Sequence, residues 1–420
     1  MKKISVPQLA WYGQRTLELP LPDDWDVEMC YMDGYNRPEV DVEAIRAALR
    51  NPLGTKPLRE LARGKKQVAI VFDDLTRGTR PAKIVAAVLE ELAAAGIPDD
   101  NIRFICALAL HGVMNRSDFV RKLGEDVVSR FPVFNHNPFG NCTYVGTTNT
   151  YKTRIYVNEE YMKCDLRILI GSCVPHPIAG FGGGSKLLMP GLASVDSINW
   201  HHKCGQANMD PVNIEAKTRP TSGMSFIEGN VFKQDIDEAA GLAGIDFMIN
   251  TLLNLWADSA WICAGEWKEV FAAAAKQAKS HYRTTPVLDK DIVIANNYAK
   301  VSECMIGMAA AIPIVAPSGG DIVNIANAPE GQVTHYLAGV FGKTTYAVQY
   351  SACKIPSAVN QFISYNEYPH RGSEWYPQHD KIIYLNKWDQ VLDALVKKHG
   401  PGTKVAVIPD ATNQYFAWFD

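Results

Sequence analysis

No stretch of this 420-residue chain reaches the roughly 18 consecutive apolar residues that a membrane span requires. The opening MKKISVPQLAWYGQRTLELPLP has two lysines but no continuous apolar core, so no secretory leader is read there. Charge of one sign is missing too. Lys and Arg total 42 against 45 Asp and Glu, for a net charge of −3, and there is no basic block. That argues against nucleic acid as the main partner. The nine cysteines, at 30, 106, 142, 164, 173, 204, 263, 304 and 353, stand singly and are odd in number. With no CxxC pair they read as reduced cytoplasmic thiols rather than a disulfide framework. There is no solenoid repeat and no low-complexity tract. No GxGxxG occurs, which speaks against a nicotinamide-nucleotide oxidoreductase, the alternative enzyme class.

What is present is ordinary globular material, 47% hydrophobic and 21% charged, long enough to bury a core without staples. Strand–helix alternation begins at Gln67–Phe72, a β-branched run suited to a strand buried on both faces. A helix follows over Pro81–Ala95, with proline near its start and Gly96 after its end. Arg103–Leu110 reads as a second strand. Arg116–Phe131 reads as a helix capped by Ser117, and Leu166–Cys173 as a further strand. The theme restarts with the apolar runs Asp291–Ala295, Ile312–Ala316, Asp321–Ile325, Lys381–Leu385 and Val405–Ile408, and with the amphipathic helix Trp388–Lys398. The predicted fold is α/β in two domains, residues 1–280 and 281–420. Each has a mostly parallel sheet flanked by helices, with the active site expected in the cleft between them.

In such sheets ligands bind beyond the carboxyl ends of the strands, so the polar residues just after each strand carry the chemistry. Asp73-Asp74-Leu75-Thr76-Arg77-Gly78-Thr79-Arg80-Pro81 follows the first buried strand and is either an anion site or a solvated turn. His111-Gly112 follows the second and is a candidate acid/base or a structural histidine. His176-Pro-Ile-Ala-Gly-Phe-Gly182-Gly183-Gly184-Ser185-Lys186 follows the third. Its glycines permit close backbone approach to a ligand, and its lysine can serve as cation or nucleophile. It is not a P-loop, because Leu187 stands where a magnesium-binding Ser or Thr is required. On a helix begun by Ser194, Val195, Ile198 and His202 share one face, with His201 about 100° away. His202 is then either a metal ligand above the glycine loop or a satisfied core histidine.

These residues resemble the nickel-dependent lactate racemases and their 2-hydroxyacid racemase and epimerase relatives. The likeness rests on Asp74-Leu-Thr76-Arg77, the post-strand His111, and His176 through Lys186 with Leu-Met-Pro-Gly-Leu-Ala-Ser following. It rests also on His202 and on Gly229-Asn-Val-Phe-Lys-Gln-Asp-Ile-Asp-Glu-Ala-Ala240. The resemblance implies a nickel-pincer nucleotide (pyridinium-3,5-bisthiocarboxylic acid mononucleotide nickel) attached covalently at Lys186, with His202 as a nickel ligand. It implies His111 and His176 as the acid/base pair, and Arg77 on the substrate carboxylate. Asp74, Thr76, Gly182, Gly183 and Gly184 would contact the cofactor. It further implies a cytoplasmic isomerase, dependent on cofactor-maturation enzymes, that inverts C2 of a 2-hydroxy acid.

The sequence departs from the family in two places. Gly78 follows Arg77 where proline is usual, which leaves Arg80 as a second carboxylate candidate. Ile306 precedes Gly307-Met308 where the lactate racemases carry an active-site lysine. Loss of that lysine points away from lactate, towards a larger 2-hydroxy acid or a sugar acid. Tyr298, Glu303 and the Asn327–Thr334 segment are then candidates for shaping the substrate, and Lys300 for replacing the missing cation. A non-catalytic homologue that binds the cofactor or a hydroxy acid is the remaining alternative.

Overall fold

The computed structural model describes residues 1–207, 222–329, 355–368 and 379–418. Two six-stranded sheets carry the architecture. In chain order their strands are β1 (Asp26–Met29), β2 (Val68–Asp73), β3 (Ile102–Ala107), β4 (Val133–Asn135), β5 (Leu166–Ser172) and β6 (Phe247–Leu253). They continue with β7 (Ser259–Gly265), β8 (Ile292–Asn296), β9 (Gly320–Ile325), β10 (Val359–Tyr365), β11 (Ile382–Leu385) and β12 (Lys404–Ile408). The chain divides into a middle unit, Asn36–Ser280 with residues 342–348, and a terminal unit, Met1–Tyr35 with His281–Phe341 and Gln349–Asp420.

The middle unit's sheet runs β7-β6-β5-β2-β3-β4. It is parallel except for β7, which turns back on β6. All six residues of β2 are buried, as a central strand covered on both faces requires. The helix α1 (Ala82–Ala94) packs on it after Pro81, and Gly96 stops it at φ +84°. The region expected as one helix from Arg116 to Phe131 is two. The helix α2 (Arg116–Leu123) ends at Gly124, whose φ of +91° breaks the path before a second short helix, Glu125–Arg130. Its cap is Asn115 rather than Ser117. Asn115 and Asp118 exchange side-chain and backbone bonds in a capping box, a geometry that Ser117, already inside the first turn, cannot offer.

Register aligns the strand ends. Asp73 lies opposite Ala107, Phe72 opposite Ile170, and Ser172 opposite Thr251. The turns after β2, β3 and β5 therefore leave from one edge of one sheet.

The terminal unit's sheet, β11-β10-β9-β8-β12-β1, is wholly parallel. Residues 1–35, assigned from sequence to the N-terminal domain, belong here. Strand β1 pairs with β12 from Asp26↔Lys404 to Met29↔Val407, and Trp25 and Leu19 enter this unit's core. An edge strand four residues long leaves no local pattern that names its partner. The run Ile312–Ala316 is not a strand of this sheet. Its first three residues form a 3₁₀ turn around Pro313, a residue with no N–H to give a ladder.

Candidate active site

The turn after β2 places two buried aspartates side by side with opposite electrostatics. Asp74 accepts from His111 Nδ1 at 2.6 Å, from the Thr76 backbone N–H at 2.9 Å, and from the Thr76 hydroxyl. Burial alone would raise its pKa. The His111 ring and the Arg77 guanidinium outweigh burial and hold the carboxyl well below the usual carboxylate range. A carboxylate only accepts hydrogen bonds, so Nδ1 of His111 carries the proton and Nε2 keeps its lone pair. That is the tautomer a general base requires. Asp73 moves the other way: burial raises its pKa despite the Lys122 ammonium 2.7 Å away.

His111 sits past the end of β3. The strand expected to run to Leu110 stops at Ala107, and a turn closed by His111 N–H to Leu108 O swings the ring towards Asp74. Arg77 is half-buried and donates to both the carbonyl and the hydroxyl of Thr76 at 3.1 Å. Arg80 forms an ion pair with Asp258 at 2.9 Å.

After β5 the chain folds into a small hairpin, with Pro175 opposite Phe181 and His176 opposite Gly180. Nδ1 of His176 accepts the backbone N–H groups of Ile178 (3.2 Å) and Ala179 (3.0 Å). Its neutral form therefore carries the proton on Nε2, the tautomer opposite to that of His111. Lys186 follows on the one-turn 3₁₀ helix Gly184–Leu187. The glycines here answer to protein packing. A Cβ on Gly183 (φ +70°) would lie 2.5 Å from Ser172 O, and one on Gly184 would lie 2.6 Å from the Phe271 ring. Gly182 has ordinary room, its nearest neighbour being Val174 at 3.5 Å. At 183 and 184 the absence of a side chain is thus required by the Ser172 carbonyl and by Phe271.

The helices α3 (Val195–Ala207) and α4 (Val231–Ala243) complete the group. Ser194 caps α3 as expected, its hydroxyl accepting the Ser197 N–H. The two histidines on α3 reverse the expected facing. His201 is wholly buried and His202 only partly so. Burial of His201 is compensated by Asp235 on α4, 2.8 Å from its Nδ1, which also accepts from Tyr151 N–H and Thr153 Oγ1. Burial is also what lowers the His201 pKa, against the pull of Asp235. His202 donates Nδ1–H to the Ile198 carbonyl at 2.9 Å, which leaves Nε2 with a lone pair. Such a backbone contact is how proteins fix the tautomer of a metal-ligating imidazole.

Phe232 on α4 gathers these side chains. The Lys186 ammonium lies 5.8 Å from its ring centroid, the His202 ring 5.6 Å and the His201 ring 4.2 Å. Lys186 and His202 thus border one aromatic ring, although sixteen positions part them. Among the described residues no three His, Cys, Asp or Glu side chains converge as a metal site.

The substrate-shaping candidates belong to the terminal unit. Tyr298 is buried against Ala10, Ala299 and Trp11, and Glu303 is half-buried on the 3₁₀ turn Val301–Glu303. Lys300 is buried, its Nζ donating to Thr412 O at 3.0 Å, and Ile306 is buried in the helix Met305–Ala311. Asn327 binds Gln8 and Glu367, while residues 330–334 lie outside the described residues.

Two buried charges close to these residues were given no role of their own from sequence: Lys122, and Asp235 within the Gly229–Ala240 motif. Both sit at helical spacing beside apolar residues, Phe119 and Leu123 for one, Phe232 and Ile236 for the other. That spacing on an inward face is the signal that exposes them.

Residues 12–211 match the family described as the lactate racemase N-terminal domain. Lactate racemase of Thermoanaerobacterium thermosaccharolyticum is 28% identical over 310 residues, covering 71% of this chain and 67% of that one. Lactate racemase of Lactiplantibacillus plantarum is 27% identical over 347 residues, 79% and 76% of the two chains. Over residues 12–211 the chain is similar to that family's N-terminal domain, and over most of its length it is similar to lactate racemases. In fold it matches the lactate racemase apoprotein structure from T. thermosaccharolyticum at a TM-score of 0.70, with 21% identity over 99% of this chain and 100% of that one. A Thermotoga maritima protein structure matches at 0.65, with 16% identity over 90% and 98%. These similarities support a racemase or epimerase, an isomerase. No helix among the described residues is long and apolar enough to cross a membrane.

Proposed function

We propose that this protein inverts C2 of a 2-hydroxy acid other than lactate, larger or a sugar acid, using a nickel-pincer nucleotide tethered to Lys186. The observation that carries the reading is the shared placement of Lys186 and His202 on Phe232, with Nδ1 of His202 donating to Ile198 O. Lys186 would hold the cofactor covalently and His202 would ligate its nickel. The group, when bound, would supply a hydride acceptor and donor for C2.

The protein's own residues handle protons and position. Nε2 of His111, backed by the ionised Asp74, takes the substrate hydroxyl proton on one face. Loss of that proton and of hydride together leaves a planar 2-oxo acid. His176 serves the hydroxyl on the other face. Arg77 pairs with the carboxylate and keeps the acid bound while its carbonyl turns. Asp74 and Thr76 form the floor. Arg80, committed to Asp258, is the lesser candidate for the carboxylate. Tyr298 and Glu303 are the proposed substrate-shaping residues, with Lys300 donating to the Thr412 carbonyl.

The test uses protein made together with the cofactor-maturation enzymes. Intact mass should show an adduct on the wild type, mapped to Lys186 and missing in Lys186→Ala. A panel of chiral 2-hydroxy acids, followed by chiral chromatography, should then show inversion at C2. An active protein with no adduct overturns the reading, as does a fully loaded protein that inverts none of the acids.

A further inference from the structure

We infer that Lys122 is the positioning residue of the Asp74–Arg77 turn, holding its main chain so that Asp74 meets His111 and Arg77 leaves the turn in a fixed direction. The inference rests on the proposed function in so far as that turn serves catalysis.

Lys122 lies on the inward face of α2 between Phe119 and Leu123, with its side chain wholly buried. A buried ammonium is tolerated only when its charge is paired and its protons are accepted. Here the ammonium donates to Asp74 O at 2.8 Å and Arg77 O at 2.9 Å, and Asp73 Oδ1 pairs with its charge at 2.7 Å.

Asp73 alone would balance the charge. The two carbonyls call for another explanation, and they are the first and last of the turn. Within the turn, Arg77 N–H reaches Asp74 O at the longer distance of 3.2 Å, and Thr76 N–H reaches the Asp74 carboxylate at 2.9 Å. Lys122 therefore grips both ends of the four residues that carry Asp74, Thr76 and Arg77.

The network extends from Asp73. Its Oδ2 accepts the Thr79 hydroxyl at 2.6 Å, and Thr79 in turn lies 2.8 Å from Ser172 Oγ. Ser172 is the last residue of β5, before the hairpin of His176, and its carbonyl lies where a Cβ on Gly183 would fall. One buried cation thus ties together the strand ends from which the turn of Asp74 and the loop of His176 and Lys186 depart.

The experiment reads His111 directly in the full-length protein without cofactor. In histidine-labelled protein, the Nδ1–H proton bound to Asp74 gives a downfield resonance, assigned by its loss in His111→Gln. Lys122→Met alone strands a buried carboxylate and can fail to fold. The variants are therefore the double change Asp73→Asn/Lys122→Met, which removes both charges, and Lys122→Arg, which keeps the pairing but cannot cap both carbonyls in the same way.

Both variants should melt as cooperatively as wild type while the His111 resonance broadens into exchange. In holoenzyme kcat should fall by about a hundredfold, the order expected when a reacting group is displaced by an ångström. A sharp, unshifted His111 resonance in either folded variant reduces Lys122 to a charge partner of Asp73 and overturns the inference. Failure of the racemase reading is separate: it would show as no inversion by wild type whose His111 resonance is intact.

Discussion

Histidines in this protein are assigned different work by what their ring nitrogens touch. His136 is the structural extreme. Its Nε2 donates to Ala193 O at 2.9 Å, and its Nδ1 lies 3.1 Å from the Asn158 amide, just ahead of the cap of α3. Burial pushes its pKa down from 6.5 to about 4, against the Ala193 bond. The folded value lies below the unfolded one, so the contribution is complete above pH 6.5. It is lost as pH falls through 6.5 towards 4. At about 1.4 kcal/mol per unit that amounts to on the order of 3 kcal/mol. Melting temperatures of the wild type should fall over that window, and those of His136→Gln should fall measurably less.

At the scale of elements, the loop from Ser172 to Lys186 shows what was legible in the sequence and what was not. The segment was marked by its composition and by its place after a buried strand. The reason for its glycines was not, because the atoms that exclude side chains at 183 and 184 come from Ser172 and Phe271. The two positions Gly182 and Gly183 therefore separate in the apo protein. Gly183→Ala places a side chain at φ +70° and 2.5 Å from a carbonyl, whereas Gly182→Ala meets only ordinary contacts. Conformation alone should cost about 1–3 kcal/mol at 183. Thermal melting should show a drop of several degrees for Gly183→Ala and little for Gly182→Ala. The same division runs through the site. His111, His176, Lys186 and His202 were singled out as candidates from chain position and motif, because strand ends and spacing are local. The pairing of His201 with Asp235 was hidden, because it depends on how α3 and α4 pack. Lys122 was hidden likewise, because a lysine on an amphipathic helix ordinarily faces water.

Over the whole molecule, the alternation of strands and helices gave the α/β class, and the restart of apolar runs after residue 280 marked a second sheet. What sequence order could not convey is that this second sheet begins with residues near the N-terminus. Deleting residues 1–30 should bare the edge of β12. Hydrogen exchange should then quicken at Lys404–Ile408 by about tenfold or more, as expected when more than a kilocalorie of local protection is lost. Exchange at Val68–Asp73 in the middle unit should stay unchanged. Equal quickening in both strands would mean the two units do not unfold separately.

The pairing of β1 with β12 also sets a timetable on the ribosome. Met29 meets Val407 across that ladder, so β1 is made long before its partner. At typical elongation speeds the wait is on the order of tens of seconds. The six sheet strands of the middle unit are made well before then, and that unit can fold during the wait. Strand β1 leaves the exit tunnel before the edge it joins exists, and until β12 follows it remains available to any chaperone that recognises a bare strand.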